Sequence, residues 1–181
     1  GDSFLPFLSY AVGSMPTRTA LAAAMASFPL HRSRKEPQKS LRTFVKGFLL
    51  TQLLEGKRLE DLHEAAVKTR LWQKINEPVM KSLREHSEKG DKILIASGSL
   101  DLYLSELLRD IPHDDVICTD IGVRNGIVTG EMINGNCVRI TKAKRIDAWL
   151  KTNGPFDESF GYGNYPHDVP MLNLVQHRTF V

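Results

Sequence analysis

The first half of the chain carries apolar residues at helical spacing and few signals for strands. One helix is predicted over the apolar stripe that starts at Leu41, a second from Leu59 and a third between Pro78 and Gly90. The third is predicted to end at Gly90 because a glycine in the left-handed conformation commonly closes a helix. The basic stretch at residues 31–40 is predicted to be a solvated loop. The first helix is predicted to end at Gly56, and its apolar face comprises Leu41, Phe44, Val45, Phe48, Leu49 and Leu53.

The pattern changes after Asp91, where short apolar runs begin to alternate with helical segments. Strands are predicted at "KILIA", "DVICT" and "ESFGY", and Asn125-Gly126 predicts a hairpin. Helices are predicted after "SGS", over residues 142–152 and from Asp168. This alternation is typical of a Rossmann-like, doubly wound α/β fold with a mainly parallel sheet. We therefore expect an α/β core over residues 89–181 and a helical cap over residues 3–88.

Composition narrows the class of protein. Of the 181 residues, 41% are apolar and 25% are charged, which is ordinary for a globular protein and argues against disorder, fibres and membrane spans. The net charge of +3 is too small for an obligate nucleic-acid binder, although it would tolerate an anionic small substrate. Cys118 and Cys137 have no metal or redox spacing, which suits two buried thiols in the cytoplasm. Oligomeric state is left open.

The first segment with candidate chemistry is "ILIASGSLD". Ser97 is expected at the carboxyl edge of a strand, where its hydroxyl and the amide of Gly98 could donate to a phosphoryl oxygen. The alternative is that Ser97 is only a turn or cap residue. Asp101 is expected to complement the helix dipole rather than take part in chemistry.

The second segment is "CVRITKAKRIDAWL". Lys142 is predicted to open a helix, where a cation opposes the helix dipole unless an anion lies nearby. Lys142 is therefore a better candidate for anion binding than Lys144 or Arg145, which are expected to be solvated. The alternative is that this charge cluster is only a solvated surface.

The third segment is "GNYPHD", which places Asn164 and Asp168 four residues apart across a turn. An amide oxygen and a carboxylate are suitable ligands for Mg²⁺. The alternative for Asp168 is the N-cap of the following helix, with Pro170 in its first turn. His167 is interpreted as a loop residue rather than a ligand.

In their order and spacing, these three segments resemble the haloacid dehalogenase superfamily, specifically its phosphoserine-phosphatase-like branch with a helical cap. The resemblance implies that Ser97 and Gly98 bind phosphate, that Lys142 neutralises charge between nucleophile and phosphate, and that Asn164 and Asp168 supply metal ligation and its support. It also implies that the cap is an insertion in the core. The implied activity is Mg²⁺-dependent hydrolysis of a small phosphorylated metabolite through an aspartyl-phosphate.

Two departures from the family pattern qualify this expectation. The sequence contains no Asp-x-Asp-x-Thr on a strand, so we expect the natural protein to begin earlier, with its nucleophile and general acid/base upstream of Gly1. Asn164 stands where the family usually has Asp, which is expected to weaken Mg²⁺ binding without abolishing it. The alternative is a catalytically silent phospho-ligand or protein-binding module. A nucleotide-binding module is a weaker option, because the sequence lacks both glycine-rich nucleotide motifs.

Overall fold

A computed structural model describes residues 3–34, 40–69 and 76–181, with the side chains of residues 31–34 excluded. These residues form eight helices and six strands. The helices are α1 (Phe4–Val12), α2 (Ser14–Arg34), α3 (Leu41–Leu54), α4 (Leu59–Lys68), α5 (Glu77–Glu88), α6 (Asp101–Leu107), α7 (Arg139–Asn153) and α8 (Val169–Leu172). The strands are β1 (Leu94–Leu100), β2 (Asp115–Thr119), β3 (Ile121–Arg124), β4 (Ile127–Met132), β5 (Phe160–Gly163) and β6 (His177–Phe180).

The chain divides into two compact units that are discontinuous in sequence. The first unit holds α1 to α4, α6 and the hairpin of β3 and β4. The second holds α5, α7, α8, β2, β5, β6 and β1 as far as Ser99. The division into a cap over residues 3–88 and a core over residues 89–181 stays a prediction.

The first unit is built on helices whose apolar faces meet in one core. Helix α3 begins after Ser40, whose hydroxyl accepts the Thr43 amide at 3.3 Å and so satisfies one of the free donors of the first turn. The buried residues of this core include Phe7, Leu49, Leu50, Leu54, Leu62, Tyr103 and Val128.

The predicted hairpin forms in the first unit. Asn125 and Gly126 have φ angles of 52° and 76°, the two positive values that a type I′ turn requires between β3 and β4. Gly130 brings β4 close to α3, since a Cβ there would lie 2.9 Å from the Thr51 Cα. The hairpin therefore packs directly on α3.

The second unit contains two strand pairs. Strands β5 and β6 are parallel, with Phe160 opposite His177. Strands β1 and β2 are also parallel. The Ile93 amide donates to the Asp114 carboxylate, and the Thr119 hydroxyl donates to the Gly98 carbonyl, so residues that are 21 apart in the sequence lie opposite each other near both ends of the pair. Their core contains Ile117, Cys137 and Ile146, with Leu94, Ala96, Trp149, Leu150, Met171 and Leu174 packed against it.

The predicted α/β class is confirmed, and both cysteines are free, buried thiols as expected. Three predicted boundaries are wrong. Strand β1 does not end at Ala96 but continues to Leu100, α7 begins at Arg139 rather than Lys142, and α2 continues to Arg34. The rest of the predicted loop, residues 35–39, lies outside the described residues. Within the described part of the chain, no helix has the length and apolarity to cross a membrane.

Candidate functional site

The second and third candidate segments meet at an ion pair. The Lys142 Nζ donates to the Asp168 Oδ1 at 2.8 Å, and only 9% and 14% of the two side chains are exposed. Because α7 begins at Arg139, Lys142 lies one turn inside the helix and not at its start. The negative charge that offsets the Lys142 cation near the start of α7 therefore comes from Asp168 of the same chain.

Asp168 also organises the turn that precedes it. Its Oδ2 accepts the main-chain amide of Asn164 at 3.0 Å, and its own amide donates to the Asn164 carbonyl at 2.9 Å. Asp168 occupies the N-cap position of α8, yet its side chain makes no capping bond there. Both carboxylate oxygens instead hold the turn and Lys142, while the side chain of Asn164 is exposed.

The first candidate segment lies inside β1. The Ser97 hydroxyl accepts the Ser99 amide at 3.1 Å, which leaves its own proton available for donation. Gly98 faces the residues that lead into α7, because a Cβ at this position would lie 2.9 Å from the Val138 Cγ1 and 3.4 Å from the Cys137 carbonyl. The main chain of β1 thus passes close to the start of the helix that carries Lys142.

Thr119, which the sequence did not identify as a site residue, fixes this approach. It is fully buried at the end of β2, and its hydroxyl lies 3.2 Å from the Gly98 carbonyl and 3.3 Å from the Asn136 Oδ1, both possible acceptors. The same oxygen accepts the Cys137 amide at 3.1 Å. The sequence signal for Thr119 was its position as the polar residue that ends the apolar run "DVICT".

A second contact joins α7 to the turn of Asp168. The Arg139 Nη2 lies 3.2 Å from the His167 Nδ1, and both residues are exposed. Arg139 has a φ of 48°, in the left-handed region that side chains other than glycine rarely adopt. No sequence signal indicated this contact. His167 itself lies in a turn between β5 and α8, in agreement with its predicted place in a loop.

Arg145 was expected to be solvated, and that expectation is wrong. Its guanidinium donates to the Cys118 carbonyl and its side chain is partly buried, because α7 packs on β2 at this point. Lys144, the residue before Arg145 on the same helix, is exposed as expected.

Asp101 serves the first unit. Its Oδ1 accepts the Leu102 amide at 2.8 Å and the Ile121 amide at 3.2 Å, so the carboxylate joins the start of α6 to β3. Burial raises the pKa of Asp101, the two amide donors oppose that rise, and the negative charge of Asp120 adds to it. This carboxylate therefore has a structural role, as predicted from its place in the first turn of the helix.

The structure thus brings Lys142, Asn164 and Asp168 together directly, and it connects Gly98 to the residues before α7 through Thr119, Cys137 and Val138. Ser97 is the chain neighbour of Gly98, and its hydroxyl bonds to Ser99. Asn164 and Asp168 offer the hard oxygen donors that suit Mg²⁺. However, no group of three or more His, Cys, Asp or Glu side chains is placed to hold a metal among the described residues. These residues fit part of a Mg²⁺ site, not a complete one.

Comparisons with solved structures show the same fold at low identity. A protein of unknown function from Bordetella pertussis Tohama I is 19% identical with a TM-score of 0.69, over 96% of this chain and 81% of that chain. A HAD family hydrolase from Salmonella enterica serovar Typhi is 15% identical with a TM-score of 0.64, over 93% of this chain and 54% of that one. A probable phosphoserine phosphatase from Vibrio cholerae is 13% identical with a TM-score of 0.64, over 94% and 49%.

This chain therefore spans about half the length of the last two structures. No curated protein gives a significant match. The sequence itself matches the haloacid dehalogenase-like hydrolase family over residues 1–173, which is nearly the whole chain. The protein belongs to the haloacid dehalogenase-like hydrolases.

Proposed function

We propose that the protein is a Mg²⁺-dependent phosphatase that hydrolyses a small phosphorylated metabolite through an aspartyl-phosphate intermediate. The observation that carries this proposal is the buried ion pair of Lys142 and Asp168, which lies in the same unit as Ser97 and Gly98. A cation held in this way offers a fixed positive charge to a phosphoryl group without reorganisation during the reaction.

Each residue has a distinct proposed role in this mechanism. The Ser97 hydroxyl donates its proton to one phosphoryl oxygen, since its lone pair already accepts the Ser99 amide. The main-chain amide of Gly98 is the proposed further donor to the phosphoryl group. Lys142 neutralises charge on a second oxygen, and Asp168 holds Lys142 in place. Such positioning and charge stabilisation supply most of the catalysis of phosphoryl transfer.

The nucleophile is not among the described site residues. The 181 residues contain no Asp-x-Asp pair, so the proposal places the attacking carboxylate and the general acid/base outside this sequence. In the first step the carboxylate oxygen bonds to phosphorus while the leaving alkoxide takes a proton from the acid. In the second step water attacks phosphorus, loses a proton to the same group, and releases the carboxylate and inorganic phosphate.

Asn164 and Asp168 would hold Mg²⁺ together with ligands from outside this sequence. When bound, the ion would offset negative charge on the phosphoryl group. We also propose a cytoplasmic location, with neither nucleic acid nor a membrane as a partner.

The proposal is tested by binding and by turnover. Titration calorimetry with inorganic phosphate, in magnesium chloride, is expected to show that Ser97→Ala and Lys142→Met bind roughly tenfold or more weakly than the native protein. Lys144→Ala is the matched control, because Lys144 is exposed on the same helix and is expected to bind normally. In the full-length protein, Lys142→Met is expected to lower phosphate release from a generic phosphomonoester by at least the same factor. Unchanged turnover would refute the proposal.

A second candidate function is a phospho-ligand-binding module without catalysis. Two features favour it: Asn164 stands where the resemblance to the family implies a carboxylate, and the 181 residues contain no Asp-x-Asp pair. This candidate is favoured over the enzyme by two results together. Phosphate binding would depend on Lys142, and the full-length protein would show no Mg²⁺-dependent phosphate release.

A further inference from the structure

The Thr119 hydroxyl binds the same main-chain peptide group that binds the Ser97 hydroxyl. Thr119 is fully buried at the end of β2, and its Oγ1 lies 3.2 Å from the Gly98 carbonyl oxygen. The carbonyl of Gly98 and the amide of Ser99 belong to one peptide group, and that amide donates to the Ser97 Oγ at 3.1 Å. Thr119 and Ser97 are therefore connected through a single rigid peptide plane.

The hydroxyl proton of Thr119 has two acceptors within reach, the Gly98 carbonyl and the Asn136 Oδ1 at 3.3 Å. A side-chain amide has an oxygen on one side and an NH₂ group on the other, so the amide of Asn136 can be turned over to donate to Thr119 instead. A main-chain carbonyl can only accept. The proton therefore goes to Gly98, while the Thr119 oxygen accepts from Asn136 and from the Cys137 amide at 3.1 Å.

These bonds form a continuous chain of donors and acceptors that ends at Ser97. A donor on the Gly98 carbonyl polarises the peptide group, so the N–H of Ser99 in the same group becomes a stronger donor. The Ser97 oxygen is then bound more strongly, and its own proton becomes a better donor in turn. Successive hydrogen bonds of this kind strengthen one another by roughly 10–30% each. The last proton in the chain is the one that Ser97 can give to a phosphoryl oxygen.

The same bonds restrict the orientation of the Ser97 side chain. The Ser99 amide occupies one lone pair of the Ser97 oxygen, and the peptide that carries this amide is held by Thr119. Thr119 is itself fixed, because it is completely buried and accepts the Cys137 amide. A donor whose direction is set before the ligand binds needs no reorganisation during the reaction.

We propose that Thr119 is a positioning residue for the phosphate-binding hydroxyl of Ser97, and that it acts through the peptide group between Gly98 and Ser99. This inference rests on the proposed function, because it requires Ser97 to donate to the phosphoryl group. The Thr119 side chain is buried and touches no ligand. Its effect on phosphate is therefore indirect and separate from its contribution to stability.

The first test needs no ligand. In nuclear magnetic resonance spectra of Thr119→Val, the amide nitrogen and proton resonances of Ser99 are expected to move upfield, because the peptide group loses the donor on its carbonyl. Thr119→Ser keeps the hydroxyl, so its Ser99 resonances are expected to stay close to those of the native protein. A Ser99 amide with native resonances in Thr119→Val would overturn the inference.

The second test is a double-mutant cycle on phosphate binding. Calorimetric titration with inorganic phosphate in magnesium chloride is expected to show roughly three- to tenfold weaker binding by Thr119→Val, the range of one hydrogen bond between neutral groups. In a Ser97→Ala background, the same change is expected to alter the affinity by less than about twofold, because the hydroxyl that Thr119 positions is absent. Thr119→Ser is expected to restore binding to within about twofold of the native protein. Each variant is titrated below the temperature at which it begins to unfold.

Thr129→Val is the matched control for these titrations. The Thr129 hydroxyl also donates to a glycine carbonyl at 3.2 Å, that of Gly122, and accepts the Glu131 amide at 3.4 Å, but it lies in the first unit. Its loss is expected to leave the phosphate affinity unchanged. If the native protein binds no phosphate, the proposed function fails and the inference fails with it. If Thr119→Val weakens binding by the same factor in both backgrounds, Thr119 is only structural, so the inference alone is overturned and phosphate binding stands.

Discussion

The Lys142 Nζ and the Asp168 Oδ1 lie 2.8 Å apart, and both side chains are almost excluded from solvent. This contact joins α7 to the turn before α8, and its two residues are 26 positions apart in the sequence. Removing one partner of a buried ion pair is costly because the other charge is left without compensation.

We expect Lys142→Met to lower the free energy of unfolding by about 3 kcal/mol, the lower end of the range for breaking a buried pair. Asp168→Asn is expected to cost at least as much, because it leaves the buried Lys142 charge uncompensated and its single amide oxygen can accept from Lys142 or from the Asn164 amide but not from both. The double variant is expected to cost less than the sum, with a coupling of about 1 to 3 kcal/mol in a urea double-mutant cycle.

A matched control for this cycle lies on the same helix. Lys151 and Asp147 form an ion pair whose side chains are 74% and 43% exposed, and such pairs couple by less than about 0.5 kcal/mol. If the two cycles give equal coupling, the buried pair contributes no more than a surface pair, and its proposed role in holding Lys142 is wrong.

The Thr119 hydroxyl is predicted to stabilise the approach of β1 to α7. Thr119→Val keeps the shape of the side chain but removes the hydroxyl that accepts the Cys137 amide, so it is expected to cost about 2 kcal/mol. Thr119→Ser keeps the hydroxyl and loses one methyl group, at about 1 kcal/mol. Urea unfolding measures both values, and hydrogen exchange of the Cys137 amide should quicken only in the valine variant. The reverse order of costs would contradict this role.

The elements that the sequence predicted well are those with local causes. The hairpin follows from Asn125-Gly126, because two adjacent residues suffice to form the type I′ turn. Helix α5 begins at Glu77, with Pro78 tolerated in its first turn, and it ends shortly before Gly90, whose positive φ closes the last turn. These signals need no knowledge of distant residues.

The features that sequence analysis missed depend on contacts across the fold. The contact of β1 with the end of β2 depends on the bond between Gly98 and Thr119, which are 21 residues apart in the sequence. The start of α7 is set at Arg139, whose positive φ no propensity would assign to an arginine. Asp168 was identified as a candidate from its turn, but its bond to Lys142 requires the tertiary structure. Candidate residues were therefore predictable, whereas the contacts that organise them were not.

Gly98 is predicted to be required for close packing. In Gly98→Ala the new Cβ would lie 2.9 Å from the Val138 Cγ1, so a shift is needed and a loss of about 1 to 3 kcal/mol is expected. Adding Val138→Ala removes the clash and is expected to restore part of the loss. Thermal unfolding of the single and double variants measures both effects.

Gly47→Ala is the control for this pair of variants. Gly47 lies inside α3, and a Cβ there would meet the Met132 Cε at an ordinary 3.5 Å. Alanine is therefore expected to stabilise the helix by about 0.5 to 1 kcal/mol. A Gly98→Ala variant as stable as Gly47→Ala would show that β1 does not pack closely on Val138.

The raised pKa of Asp101 predicts a specific pH dependence of stability. Burial is the main cause of the rise, so ionising this carboxyl costs free energy in the folded state. Between the ordinary pKa of the unfolded chain and the raised pKa of the folded state, the folded protein binds more protons, and stability falls as pH increases. Above the folded pKa the cost is present in full.

Asp101→Asn removes this cost, and its amide oxygen still accepts from Leu102 and Ile121, while the second contact of the Ile121 amide with the carboxylate is lost. We expect the variant to melt at a higher temperature than the native protein near pH 7, with the difference shrinking as the pH falls to about 4 or below. Asp61→Asn is the control, because Asp61 is an exposed carboxylate in the first turn of α4 whose loss should lower stability slightly. A lower melting temperature of Asp101→Asn near pH 7 would mean that the hydrogen bonds of the carboxylate outweigh its burial, and that the charged form is the one that stabilises the junction of α6 and β3.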